Sequence, residues 1–209
     1  MIDLYTWSTP NGRKVSIMLE ETGLDYTAHP INIMKDDQFA PHFLKVAPNN
    51  KIPAIVDNDT GMSLMESGAI LLYLAEKTGK FMPESGEDRW RAIEWLMWQM
   101  GGAGPFLGQA HHFVHFNPDA SEYARNRFAK EAQRLYGVLN KRLGDVEYVA
   151  GEYSIADIAI WPWVSRYEWQ AVDMNEFPNV KEWYMKIAAR PAVQKGYNVP
   201  ATDQKIPTP

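Results

Sequence analysis

The sequence predicts an α/β domain followed by an all-helical domain. In residues 1–80, runs with the two-residue period of strands alternate with runs at helical spacing, whereas beyond residue 87 apolar residues recur every three or four positions. A stretch containing Pro and Gly at 81–87 separates the two patterns and is typical of a linker. The 209 residues, 45% apolar and 22% charged, suffice for two modest domains at 1–80 and 88–209, which can bury their cores without a metal or a disulfide.

The first domain has the predicted order β-α-β-α-β-β-α. Its four strands are expected at 2–7, 26–33, 54–57 and 62–66, and turn residues between the last two indicate a hairpin. The first helix follows Thr9 and ends at Gly23, and a short helix runs through 39–44. The third helix begins at Ser67 and ends at Gly79.

The second domain is predicted to be all helical. Its helices are expected at 90–99, 122–143, 155–170 and 180–189. The Gly-rich segment 101–105 follows a helix and lacks the Lys-Ser/Thr ending of a phosphate loop, so we expect it to end or kink that helix. Residues 201–209 are expected to form a poorly ordered tail, and the cleft between the two domains is the expected binding site.

Charge and cysteine content exclude several functions. With 26 acidic and 21 basic residues the net charge is −5, which is the wrong sign for nucleic acid or an anionic membrane surface. Cysteine is absent, which excludes disulfides, thiolate metal sites and a cysteine nucleophile. The start of the chain has no secretion-signal pattern and no apolar run reaches about 18 residues, so the expected location is the cytoplasm.

The segment Thr9-Pro10-Asn11-Gly12 lies where the first strand meets the first helix. Threonine is a good N-cap and proline fits the first helical turn, so one interpretation is a simple helix cap. The other interpretation is an anion site, because backbone N–H groups and the helix dipole converge there and would stabilise a bound thiolate.

Two further motifs are suited to a peptide-like ligand. A proline precedes the third strand in Ile52-Pro53; a trans bond is the common case, whereas a cis bond would turn the Ile52 backbone outward to pair with a peptide. Glu66-Ser67 precedes the third helix and is either a simple cap or a site for an α-amino-acid group. In the second case Ser67 and the first N–H groups bind the carboxylate, and Glu66 meets the ammonium.

Three histidines in the second domain suggest a metal site only at first sight. His111 and His115 have the spacing of two ligands on one helix face, with His112 beside them. No glutamate completes an H-E-x-x-H pattern, so a structural or cleft-lining role is favoured and no metal is predicted.

In combination, the element order and these motifs resemble the glutathione transferase superfamily over nearly the whole chain. The resemblance implies a thioredoxin-like N-terminal domain and a helical C-terminal domain, in which Ser154 to Asp157 match the capping box of a buried helix. The segments 9–12, 49–55 and 108–113 are similar to the bacterial nu class. Members of that class are associated with the reduction of disulfide bonds by glutathione.

The resemblance also implies roles for individual residues. Thr9 and Asn11 would be the catalytic residues beside the glutathione sulfur, with Ser8 as a competitor of Thr9. The implied glutathione-binding residues are Gln38 and Lys51 near the glycyl end, Ile52 and Pro53 at the cysteinyl backbone, Glu66 and Ser67 at the γ-glutamyl group, and Arg127 reaching across a homodimer interface. Arg125 competes with Arg127 for the last of these roles.

The function favoured by the resemblance is glutathione-dependent disulfide reduction, with glutathione as co-substrate and no metal. Two alternatives keep the same fold: conjugation of glutathione to hydrophobic electrophiles or reduction of organic hydroperoxides, and a non-catalytic binding module. Because the chain has no cysteine, every catalytic sulfur would belong to glutathione or to the substrate.

Overall fold

The structure, a computed structural model, describes residues 1–200 and 203–209 and contains two compact units. The first unit is Met1–Met82 together with Ala189–Ile206, and the second is Pro83–Ala188 together with Pro207–Pro209. The strands are β1 (Ile2–Thr6), β2 (Tyr26–Pro30), β3 (Ala54–Asp57) and β4 (Met62–Met65). The α-helices are α1 (Pro10–Thr22), α2 (Pro41–Leu44), α3 (Ser67–Thr78), α4 (Gly86–Trp98), α5 (Gly104–Ala110), α6 (Glu122–Asp145), α7 (Ile155–Val164), α8 (Pro178–Ala188) and α9 (Pro191–Tyr197).

The first unit is built on a four-stranded mixed sheet with the order β2-β1-β3-β4. Strand β1 pairs with β2 in parallel and with β3 in antiparallel fashion, and β3 and β4 form the expected hairpin. Helices α1 and α3 both end where the sequence predicts, at glycines in the left-handed conformation, Gly23 at φ 74° and Gly79 at φ 65°. The predicted order of strands and helices in this unit is confirmed.

Two elements of the first unit differ from the prediction by more than one residue. Strand β2 ends at Pro30 rather than at residue 33. The helix expected through 39–44 is divided into a 3₁₀ turn, Asp37–Phe39, and the short helix α2. Ala40 between them is extended, at φ −63° and ψ 136°, because the residue before a proline disfavours the helical conformation.

Helix α9 is an element that the sequence analysis missed, and it belongs to the first unit. It packs against α1 at Gly196, where an added Cβ would lie 2.6 Å from the Cα of Ile17. Arg13 of α1 reaches the same segment, since its guanidinium lies 3.4 Å from the centre of the Tyr197 ring and its Nε donates to the Tyr197 carbonyl. The first unit therefore includes a C-terminal segment beyond the predicted boundary at residue 80.

The second unit is helical, as predicted, with differences in where its helices end. The helix expected over 155–170 ends at Val164 and is followed by a 3₁₀ turn, Tyr167–Gln170. The Gly-rich segment does not end the helical path: π-type turns at Gln99–Ala103 and His111–Phe116 flank α5. Within a helical path a proline removes one N–H donor and its ring crowds the carbonyl of the preceding turn, and the first π turn ends two residues before Pro105.

The predicted capping box of the second unit is confirmed. Ser154 accepts from the N–H of Ala156, and the Asp157 carboxylate accepts from the N–H of Ser154 at 3.0 Å. Asp157 is fully buried and also binds the Val149 N–H and the Trp183 indole N–H. One carboxylate thus ties the start of α7 to α8 and to the preceding turn.

The predicted tail lies only partly within the described residues. Ala201 and Thr202 fall outside them, and residues 203–209 have no regular secondary structure. Gln204 accepts a hydrogen bond from Arg13, and the Pro207 carbonyl accepts one from the Tyr184 hydroxyl. Among the described helices, none has the length and apolar character needed to cross a membrane.

Candidate functional site

Strand register brings the three sequence motifs to one end of the sheet. Tyr5 of β1 lies opposite Ala54 of β3, and Ala54 lies opposite Met65 of β4. The chain therefore leaves β1, enters β3 and leaves β4 at the same edge, and these segments carry Thr9–Asn11, Ile52–Pro53 and Glu66–Ser67. Strand β2 runs parallel to β1, so the segment that leads to Gln38 begins at that edge too.

The N-terminus of α1 forms one side of this site. Thr9 is the N-cap, extended at φ −113° and ψ 163°, and its Oγ1 accepts from the N–H of Gly12 at 3.2 Å. An added Cβ at Gly12 would lie 2.1 Å from the Trp7 carbonyl oxygen, so glycine lets the helix start close to the strand end. Because the Thr9 oxygen accepts inward, its hydroxyl hydrogen can donate outward; the cap and the anion site are compatible.

Ser8 and Thr9 differ in the hydrogen bonds that they make. The Ser8 Oγ is buried from solvent and has no hydrogen-bond partner among the described residues. Thr9 accepts the cap hydrogen bond at the first turn of α1. As residues, Ser8, Thr9 and Asn11 are all half-buried, so the choice of Thr9 as the hydroxyl donor stays a prediction.

The segment before β3 supplies the middle of the site. The Ile52–Pro53 peptide bond is cis, as the resemblance implied, and Pro53 is buried. The Ile52 side chain packs against the small core cluster that contains Phe43 and Ala54. Lys51 is exposed, which leaves its ammonium accessible beside this segment.

Gln38 lies apart from these contacts, in the 3₁₀ turn that follows β2. It is half-buried, and its Nε2 donates to Asp36 Oδ1 at 3.4 Å. No described contact joins Gln38 to the N-termini of α1 or α3, so its place in the site depends on the shared sheet edge alone.

The N-terminus of α3 forms the opposite side. Glu66 occupies the N-cap position with φ 72° and ψ 110°, makes no side-chain cap bond and is exposed. Positive φ is costly for glutamate, and such backbone strain concentrates at functional sites. Ser67 is the first residue of the helix and is 4% exposed, and its Oγ accepts from Lys14 Nζ at 3.2 Å. Simple capping therefore does not describe Ser67, because its hydroxyl binds a lysine.

Lys14 is the residue of this site that the sequence analysis missed. It lies in α1, one turn after Asn11, and is 1% exposed. Burial lowers the pKa of its ammonium to about 7, while the negative charge of Glu66 acts in the opposite direction. The available signal was its spacing: Lys14 precedes Met18 by four residues and so lies on the apolar face of α1.

Two arginines of α6 compete for one predicted role. Arg125 is half-buried, and its Nη1 donates to the Pro118 carbonyl at 3.3 Å. Arg127 is exposed on the same helix. Arg125 thus contributes to the second unit itself, and the role of Arg127 stays a prediction.

The histidines of the second unit have structural contacts. His111 is buried and stacks on Trp163, and its Nε2 lies 3.0 Å from the Gln170 amide nitrogen, which donates to it. Burial, assisted by Arg166 and His115, lowers the pKa of His111 to about 4, so the ring is neutral at pH 7. Among the described residues, no group of three or more His, Cys, Asp or Glu is placed to hold a metal.

Known families and proteins resemble the chain along most of its length. The family model of the glutathione S-transferase N-terminal domain matches residues 1–76, and that of the C-terminal domain matches residues 104–191. Disulfide-bond oxidoreductase YfcG of Escherichia coli is 53% identical over 198 residues, which are 92% of this chain and 92% of that protein. Disulfide-bond oxidoreductase YghU of the same organism is 44% identical over 219 residues, 97% of this chain and 76% of that protein.

Solved structures of glutathione transferases are also similar to this chain. A glutathione transferase from Pseudomonas putida, with one glutathione disulfide bound per subunit, has a TM-score of 0.91 at 45% identity and covers 96% of this chain and 92% of its own. A glutathione transferase from Burkholderia graminis, with two glutathione molecules bound per subunit, has a TM-score of 0.90 at 46% identity and covers 95% and 88%.

Proposed function

The chain belongs to the glutathione S-transferase family, and from this premise we propose that it is an enzyme that reduces disulfide bonds with glutathione. The observation that carries the proposal is a helix N-terminus suited to binding a thiolate, in a chain that has no thiol of its own. The N-terminus of α1 offers the Thr9 hydroxyl and backbone N–H groups at a sheet edge, in a chain that has no cysteine. Two relatives named as disulfide-bond oxidoreductases support the choice of reaction.

The proposed reaction takes two glutathione molecules. A first glutathione thiolate, stabilised by the α1 N-terminus, the Thr9 hydroxyl and the Asn11 amide, attacks one sulfur of the substrate disulfide. A mixed disulfide forms and the substrate's other sulfur leaves as a thiolate. A second glutathione thiolate attacks the mixed disulfide, so that glutathione disulfide and a second substrate thiolate are released. The relatives that bind one glutathione disulfide or two glutathione molecules per subunit support this stoichiometry.

The remaining predicted residues bind the tripeptide in this proposal. Ile52 meets the cysteinyl backbone beside Pro53, and Gln38 and Lys51 meet the glycyl end. The γ-glutamyl group lies at the N-terminus of α3, where Ser67 and the helix N–H groups donate to its carboxylate and Glu66 accepts from its ammonium. The protein's part in catalysis is to lower the thiol pKa and align the sulfurs.

We place the protein in the cytoplasm as a homodimer. A glutathione-dependent reductase works where the glutathione pool is reducing, and a chain without cysteine has no use for an oxidising compartment. Trp90 is 69% exposed and Met97 is 48% exposed, seven residues apart on one face of α4, a pairing that a second subunit would cover. Arg127 would then reach glutathione across the interface.

The dimer has a direct test. Trp90→Glu should shift the molecular mass seen by sedimentation from dimer to monomer. Trp169→Glu would not test the interface, because Trp169 stacks on His115 within its own unit. A wild-type protein that sediments as a monomer would refute both the dimer and the proposed role of Arg127.

The reaction is tested with 2-hydroxyethyl disulfide and glutathione. We expect a rate well above the uncatalysed one, and conjugation of chloronitrobenzene that is weak by comparison. Strong conjugation with negligible disulfide turnover would identify the transferase alternative, which uses the same thiolate and differs in the electrophile. Failure to bind glutathione in calorimetry would favour the non-catalytic module.

A further inference from the structure

Lys14 is a buried cation in contact with a predicted ligand-binding residue. It is 1% exposed, and its Nζ donates to the Ser67 Oγ at 3.2 Å across the packed faces of α1 and α3. Ser67 begins α3 and is itself 4% exposed. The contact thus joins the two helix N-termini that form the opposite sides of the site.

We propose that Lys14 is a positioning residue for the γ-glutamyl carboxylate of glutathione, acting through the Ser67 hydroxyl; the inference rests on the proposed function. The Ser67 oxygen accepts from Lys14, so a carboxylate that Ser67 binds at the start of α3 would lie one residue away from the buried ammonium. The ammonium adds a positive charge to the partial positive charge of the helix N-terminus. The carboxylate is therefore bound by the Ser67 hydroxyl and by the field of a buried cation.

A lysine at this position carries a cost in stability. Removing an ammonium from water is costly, and an apolar side chain of similar volume commonly replaces a buried charge with no loss of stability. Methionine is nearly the same length and would pack in the same space between α1 and α3. An anionic ligand at the start of α3 would stabilise the ammonium and so offset part of that cost.

The charged groups around Lys14 determine how its proton responds to a ligand. Glu66, beside Ser67, interacts favourably with the ammonium, whereas burial disfavours it and brings its pKa to about 7. On the other side of α1, the basic groups at α9 are occupied: Arg190 pairs with Glu21 and Lys195 with Glu20. On α3, Lys77 pairs with Asp57. A bound carboxylate should therefore raise the pKa of Lys14, so that binding above pH 7 takes up a proton.

The test uses S-methylglutathione, whose blocked thiol contributes no proton, and the analogue in which the γ-glutamyl group is replaced by 4-aminobutyryl and so lacks the α-carboxylate. Calorimetry gives both affinities for the wild type, Lys14→Met and the control Ser16→Ala. Ser16 is buried in the same helix but donates to the Gly196 carbonyl on the α9 side.

We expect Lys14→Met to bind S-methylglutathione about 10- to 100-fold more weakly while its melting temperature is unchanged or raised. The same variant should bind the 4-aminobutyryl analogue as the wild type does, because the group that Lys14 serves is missing. Ser16→Ala should lower the melting temperature and leave both affinities unchanged. Equal weakening for both ligands, or no weakening for either, would overturn the proposal.

A second measurement needs no variant. In buffers of different ionisation enthalpy above pH 7, wild-type binding of S-methylglutathione should take up protons, and its affinity should fall as the pH rises. An affinity that stays constant from pH 7 to pH 10, close to the ordinary lysine value of 10.5, would contradict the role of Lys14 whether or not the variant folds. Because these ligands report binding and not turnover, an inactive protein that binds them as expected would refute the proposed reaction and leave this inference standing.

Discussion

At the residue scale, the site depends on which hydroxyl oxygens already accept a hydrogen bond inside the protein. Thr9 accepts from the Gly12 N–H and Ser67 accepts from Lys14, so each directs its hydrogen elsewhere. The Ser8 oxygen is buried and has no hydrogen-bond partner among the described residues. Ser8, Thr9 and Ser67 all carry a hydroxyl, but they differ in the hydrogen bonds that this hydroxyl makes inside the protein.

We expect Thr9→Ala to raise the pKa of the bound glutathione thiol and to lower disulfide reduction by about 10- to 100-fold, because it removes a donor to the thiolate. Loss of the cap should also lower the free energy of unfolding by about 1 kcal/mol. Ultraviolet absorbance of the thiolate against pH measures the first effect and urea unfolding the second. Thr9→Ser should restore both, and Ser8→Ala should change neither; a larger defect in Ser8→Ala would reverse the assignment.

At the element scale, one buried carboxylate fastens the β3–β4 hairpin to α3. Asp57 at the end of β3 accepts from the Tyr73 hydroxyl at 2.5 Å and pairs with Lys77 at 2.7 Å, and both partners lie on α3. Burial would raise the pKa of Asp57, but the hydrogen bonds from Lys77, Tyr73 and the Asp59 N–H outweigh it and lower the pKa to about 2. The network fastens the turn end of the hairpin to the C-terminal half of α3, at the opposite end of the sheet from Glu66 and Ser67.

We expect Asp57→Asn to lower the free energy of unfolding by about 2 kcal/mol at pH 7, from the loss of a buried ion pair. The folded-state pKa lies below the ordinary value of 3.8, so the stabilisation is complete above about pH 4 and is lost as the pH falls toward 2. Urea unfolding should therefore show a wild-type advantage that shrinks below pH 4. Asp59→Asn, at an exposed partner of Lys77, should have a smaller effect; a pH-independent advantage would contradict the argument.

The contact between α1 and α9 requires a glycine. We expect Gly196→Ala to lower the free energy of unfolding by about 2 kcal/mol or more, because its Cβ would lie 2.6 Å from the Cα and 2.7 Å from the N of Ile17, and backbone atoms cannot rotate away. Gly137→Ala is the matched control: this glycine lies inside α6 with no atom within 4 Å of an added Cβ. The Gly137→Ala variant should be more stable than the wild type by up to about 1 kcal/mol, and equal effects of the two substitutions would refute the packing argument.

The same scale explains which elements the sequence could predict. Apolar residues at helical spacing and terminal glycines mark helices α1 and α3, and both of these signals are local. Helix α9 has only seven residues, so Pro191 at its start and the spacing of Val193 and Tyr197 give a weak local signal, and its place depends on contact with α1. The split before Pro41 follows from a steric rule, yet the apolar spacing of Phe39 and Phe43 concealed it.

At the scale of the whole molecule, the absence of cysteine is the property with the widest consequence. We expect pretreatment with iodoacetamide to leave activity intact and to add no carbamidomethyl group to a thiol, since the chain has none. Dithiothreitol in place of glutathione should give no enzymatic acceleration, because the binding residues recognise a tripeptide and not a thiol alone. Loss of activity after alkylation, or equal acceleration by both reductants, would contradict the mechanism; intact-mass measurement is the control.

By itself, the sequence determined the order of elements, the division into an α/β and a helical part, and the absence of any thiol in the protein. These follow from local periodicity, from caps such as Thr9 and Ser154, and from composition, which need no knowledge of distant contacts. Only the tertiary structure decided how the site is completed. Whether Ser67 is a cap or a partner of Lys14, and which of the Ser8 and Thr9 hydroxyls accepts a hydrogen bond, depends on side chains 53 residues apart and on burial. The packing of α1 on α3 determines these contacts, because it decides which polar atoms are bonded inside the protein and which remain accessible.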